Sequence, residues 1–163
     1  MFFKRILGLL AAVGLSLGGA LAAEHHHGHD HHAAAPARPT LKADGTKWTT
    51  DAPLRNGMEQ IRTRMGAALA DIHGGRLTAA QYRKLSGDVR GEVNTIIASC
   101  KLDPQADAQL HTVIGEMLAG AEKMTEKSKA GRQRGAVAVV KGLEDYAAYF
   151  EHPGWQPLTA ESH

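Results

Sequence analysis

Residues 51–73, Asp51-Ala52-Pro53-Leu54-Arg55-Asn56-Gly57-Met58-Glu59-Gln60-Ile61-Arg62-Thr63-Arg64-Met65-Gly66-Ala67-Ala68-Leu69-Ala70-Asp71-Ile72-His73, decide the fold. Asp51 offers a carboxylate to the free amides of a helix start, and Pro53 fits the first turn, where no amide donor is needed. Leu54, Met58, Ile61, Met65, Leu69 and Ile72 recur at spacings of four and three, which lays one apolar stripe along a helix. Gly74-Gly75 supplies the stop. A stripe this long has to be buried against other helices.

The same grammar repeats downstream. Thr78-Ala79-Ala80-Gln81 is a capping box, followed by a stripe of Tyr82, Leu85, Val89, Val93, Ile96 and Cys100. Asp103-Pro104 opens a third helix with Leu110, Val113, Ile114, Met117, Leu118, Ala121 and Met124 on its apolar face. A polar, lysine-rich loop is expected through about Arg132. A fourth helix then carries Ala136, Val139, Val140, Leu143, Ala147 and Phe150, and stops before Pro153. No sustained period-two alternation signals a strand. The expected fold is all-α: an antiparallel up-down four-helix bundle over 48–158, with helices at about 52–73, 79–100, 104–125 and 132–151.

Upstream, residues 24–47 read as a disordered His-rich tail and linker, in which Pro36, Pro39 and Gly45 break regular structure. Residues 1–23 have the parts of a signal peptide: Lys4 and Arg5, an apolar Ile6–Leu21 stretch, and small residues at Ala20, Ala22 and Ala23. The stretch is short and rich in Gly and Ala for a membrane span, so cleavage and export to a periplasm are expected, with no stable membrane insertion afterwards. Removing Lys4 and Arg5 from 19 basic residues leaves 17, against 17 acidic ones. That balance argues against nucleic acid or an anionic membrane surface as a partner. Cys100 is the single cysteine; it cannot form an internal disulfide, which leaves a Cys100-linked homodimer open.

Residues 25–32, His-His-His-Gly-His-Asp-His-His, hold six of the ten histidines. Such a stretch buries no apolar surface but can ligate a transition metal through His25, His26, His27, His29, His31 and His32, with Asp30 beside them. Gly28 and Asp30 interrupt the run and it follows a signal, which argues against a purification tag. Cleavage after Ala22 or after Ala23 puts a histidine third in the mature chain. A free amine, two backbone amides and a third-position imidazole form a square-planar nitrogen set suited to Cu(II) or Ni(II).

In an up-down bundle a second donor group shares one pole. Met58 and His111 each lie roughly 10–12 Å in from the starts of the first and third helices. Cys100 ends the second helix there and His152 leaves the fourth. Thiolate, thioether and imidazole favour copper, with zinc open if Met58 is left out. Each also has a plainer reading: Met58 as core filler, Cys100 as a small buried hydrophobe, His111 as a rim residue and His152 as a cap on the last carbonyls. Trp48, Tyr146, Tyr149, Phe150 and Trp155 gather at this pole too, as a plug or as a stack for a planar cofactor. His73, in the last turn of the first helix, suits the helix dipole.

The segments Lys47–Met58, Asn94–Leu102, Leu110-His111 and Phe150–Trp155 resemble the small exported proteobacterial proteins of DnrO type, over roughly Trp48 to Leu158. That family implies an exported chain with a His-rich leader and no defined activity. Leu54-Arg55-Asn56-Gly57-Met58 is similar to the first helix of periplasmic four-helix b-type cytochromes. This second resemblance implies haem held by Met58 and a histidine of the last helix, for which His152 is the available residue. Absence of Cys-x-x-Cys-His excludes covalent c-type haem. Leu77–Gln81 resembles the LTxxQ motif of periplasmic metal-responsive helical hairpins. No nucleophile–base pair, phosphate loop or zinc-protease motif is present. The sequence therefore reads as a non-enzymatic exported protein that captures or buffers a divalent transition metal, copper first, with nickel or zinc next. The alternatives are a haem-binding electron carrier and a metal-independent interaction or chaperone-like module.

Overall fold

A computed structural model describes residues 38–159. The expected signal peptide and the donors His25, His26, His27, His29, Asp30, His31 and His32 lie outside the described residues. Four helices, α1 Ala52–His73, α2 Ala79–Ser99, α3 Pro104–Lys123 and α4 Lys129–Tyr149, form a four-helix bundle within one compact unit. Among the described residues there is no strand; the sheet-like pairing there is one parallel bridge between Trp48 and Phe150. None of these helices is long and apolar enough to cross a membrane.

The capping chemistry read from the sequence sets the helix starts. Leu54 N–H donates to the Asp51 carboxylate at 2.9 Å. Thr78 and Gln81 satisfy each other's amides in a full capping box. Gln105 N–H donates to Asp103 at 2.9 Å. The fourth start differs from expectation. Ser128 accepts from Gly131 N–H at 2.9 Å, so α4 begins at Lys129 and not at Arg132. Arg132 then lies in the helix, its guanidinium donating to the carbonyls of Glu126 and Lys127. At its far end α4 stops at Tyr149, because residues 150 and 151 turn extended to pair with Trp48.

The apolar stripes meet in a single core. Leu54, Met58, Ile61, Met65 and Ile72 of α1 are completely or almost completely buried, as are Tyr82, Val89, Val93 and Ile96 of α2. α1 packs on α2 and α4, and α3 packs on the same two, while α2 and α4 approach across the centre. Ser86 donates to the Ala121 carbonyl at 2.6 Å inside that core, which ties α2 to α3. At one pole Lys101 N–H donates to Asp51 at 2.6 Å, Trp48 N–H to Tyr149 at 2.8 Å and Glu151 N–H to Trp48 at 2.8 Å. At the other, Gln133 of α4 donates to the Ile72 carbonyl at 2.9 Å.

Order extends upstream of Trp48, into the segment expected to be disordered linker. Thr40 N–H donates to Gln109 of α3 at 2.8 Å, and the Trp48 indole N–H donates to the Thr40 carbonyl at 2.5 Å. Between them Lys42 and Thr46 close a turn around Gly45, whose φ of +80° is the left-handed conformation glycine permits. Asp44 locks the turn by accepting from both the amide and the hydroxyl of Thr46. The Gly and Asp residues that break helices are here the parts of a fixed turn. Residues 38–50 thus form a strap across the pole where α1 begins.

Candidate functional site

Cys100 caps the end of α2, its N–H donating to the Ile96 carbonyl at 2.8 Å. Across from it, the first turns of α3 present Asp107 and His111. These residues line a cleft of about 270 Å3 together with Ile96, Ile97, Leu110 and Ile114. His111 Nδ1 lies 2.9 Å from the Asp107 carbonyl and 3.3 Å from its carboxylate. A carbonyl oxygen can only accept, so Nδ1 is the donor, and Nε2 is the ring nitrogen left for a ligand. Carboxylate support of a histidine in this way is what orients metal-binding imidazoles. The His111 side chain is 61% exposed, so Nε2 is open to an incoming ion.

The Cys100 thiol is pushed up from its ordinary pKa by burial, and further by the carboxylates of Asp51 and Asp107. At neutral pH it is a thiol, not a reactive thiolate, and a metal ion has to displace its proton. The two carboxylates that hold the proton on sulfur also favour a cation in its place.

His152 stands in a different environment. The chain leaves α4 and turns through Pro153 and Gly154, whose φ is +81°, with Trp155 N–H donating back to the His152 carbonyl at 3.1 Å. His152 Nδ1 lies 2.9 Å from the Tyr146 hydroxyl. Burial raises the Tyr146 phenol well above its ordinary pKa, so it stays protonated where it hydrogen-bonds the imidazole. Trp155 packs 4.9 Å from the His152 ring and 5.1 Å from Tyr146, and Tyr146 stacks on Phe150 at 5.5 Å. Arg62, paired with Glu59, lies over the Trp155 ring. These rings and the buried Trp48 plug the pole.

Burial lowers the His152 pKa below 6.5; Glu59 opposes that shift, and Arg55 and Arg62 add to it. A histidine with a depressed folded pKa binds its proton more readily when the chain is unfolded. Its contribution to stability is full above about 6.5 and declines as the pH falls through the folded pKa. Unfolding midpoints measured from pH 8 to pH 5 should therefore fall, and the fall should be smaller in His152→Gln.

The four pole donors divide among three surroundings. Cys100 and His111 share a cleft, His152 is engaged by Tyr146 and Trp155, and Met58 is fully buried in the core. Among the described residues, no group of three or more His, Cys, Asp and Glu side chains is placed to hold a metal ion. Sequence reasoning misses Asp107 and Tyr146 as partners. The i, i+4 spacing of Asp107 and His111 on one helix face is the readable signal for the first. His73 lies exposed at the end of α1. No family model matches this chain, and neither a curated protein nor a solved structure matches it.

Proposed function

We propose that this chain is an exported, non-enzymatic protein that captures or buffers a transition metal, copper in the first place. The observation that carries the reading is the density of imidazoles at 25–32, six in eight residues behind a secretion-type leader. After cleavage the third-position histidine adds a square-planar site for Cu(II) or Ni(II). A fixed second donor pair, Cys100 and His111, lines the bundle cleft and supports the same chemistry. Membership of the DnrO-type exported proteins is part of this proposal and rests on the motifs between Lys47 and Trp155.

We further infer that the helices run up and down, each antiparallel to the next. The Asp51–Lys101, Trp48–Tyr149 and Gln133–Ile72 hydrogen bonds support that arrangement. Deleting residues 24–35 and measuring uptake of Cu(II), Ni(II) and Zn(II) by equilibrium dialysis tests the metal reading. Most of the bound copper should be lost with the tail while the helical circular dichroism stays unchanged. Undiminished stoichiometry would show that the tail is no metal trap.

A further inference from the structure

We propose that a second copy of this chain completes the Cys100–His111 site, so that a thiophilic tetrahedral ion bridges a two-fold homodimer. The inference rests on the metal-binding reading above, but not on the tail. Each chain lines the cleft with two good donor residues, Cys100 and His111, and among the described residues no three-donor group forms there. A closed zinc-type site takes four ligands, commonly two thiolates and two imidazoles. A two-fold axis through the cleft doubles the pair to that set, because the same patch then meets itself.

The cleft surroundings fit such a contact. Ile97, at its rim, is 52% exposed, one of the few large apolar side chains left open to water among the described residues. Gly115, one turn beyond His111 on α3, has open space where a side chain would stand, so a second backbone can approach. Asp107 is the one acidic residue lining the cleft. Two copies bring two Asp107 carboxylates together, a repulsion that opposes association unless the coordinate bonds to a shared ion hold the copies. Association is therefore metal-dependent. Each Asp107 also holds its own His111 in the ligating tautomer. Binding releases the two thiol protons to solvent and involves no redox step.

The test uses the chain with His25, His26, His27, His29, His31 and His32 changed to Ser, kept under a phosphine reductant. Sedimentation velocity is run with and without Zn(II), and the zinc in the sedimenting species is measured. The expected result is a monomer without zinc and a dimer with one zinc per two chains. Chelation should return the monomer. Cys100→Ser and His111→Ala should stay monomeric with zinc, and Asp107→Asn should weaken the zinc dependence by about 10–100-fold. Ile97→Lys should weaken the dimer with helicity unchanged. Zinc bound without a change in mass, no zinc bound, or a dimer that survives chelation would each overturn the inference. If the unsubstituted chain takes up copper while the Ser-substituted chain never dimerises, only this inference fails. If the substituted chain dimerises with zinc while tail deletion leaves copper uptake undiminished, the tail reading fails instead.

Discussion

Trp48→Ala is expected to lower the stability of the bundle by about 3–5 kcal/mol, in the range for removing a buried tryptophan. Trp48 is 8% exposed and ties three segments together at once. Its backbone pairs with Tyr149 and Glu151, its indole N–H holds Thr40, and Lys42 lies 5.9 Å over its ring. Alanine keeps the backbone pairing but leaves a cavity under the strap and an unpaired Thr40 carbonyl. Urea unfolding followed by circular dichroism reads the loss. Limited proteolysis should show new cleavage within residues 40–47 before the helices open. A loss below about 1 kcal/mol, the scale of one net hydrogen bond, would mean that the strap does not depend on this ring.

Gly135→Ala is expected to destabilise the protein by about 1–3 kcal/mol, the cost of overpacking a tight contact. Helix propensity alone points the other way, because alanine is better than glycine by about 1 kcal/mol inside a helix. The close approach of two backbones decides the sign. A Cβ at Gly135 would lie 2.6 Å from the Gly120 carbonyl oxygen and 2.7 Å from Met124 N. Both obstacles are backbone atoms, and they cannot move aside as a side-chain tip does. Gly120 is the reciprocal partner: a Cβ there would lie 2.8 Å from the Gly135 carbonyl oxygen. Gly87 and Gly91 have nothing within 4 Å of such an added atom. Gly87→Ala and Gly91→Ala should each stabilise by about 0.5–1 kcal/mol. Denaturant midpoints at constant slope separate the two classes, and a stabilised Gly135→Ala would contradict the close approach of α3 and α4.

The helices are legible in the sequence because their signals are local. The α1 stripe from Leu54 to Ile72 and the Thr78–Gln81 box each need only spacing and residue type. The start of α4 reads three residues late because Lys129, Gly131 and Arg132 look like loop; the deciding contact is the Ser128 hydroxyl on Gly131 N–H. The strap reads as linker because Pro39, Asp44 and Gly45 exclude helix and strand, while part of what holds it is Gln109, a residue 69 positions from Thr40 in the chain. For the pole donors, spacing gives depth along a helix but only roughly which way a side chain points around it. Met58, Cys100, His111 and His152 read at one depth. Orientation then sends Met58 into the core, Cys100 and His111 to a shared cleft, and His152 against Tyr146.

The proposed function has the imidazoles of residues 25–32 take up copper. Titrating the purified, signal-cleaved chain with Cu(II), while recording its visible absorption, tests that claim most directly. The ligand-field band of square-planar, nitrogen-bound Cu(II) should grow linearly to saturation before free copper is detected, and the tail-deleted chain should lack it. A spectrum identical to that of copper in buffer at every addition would contradict it.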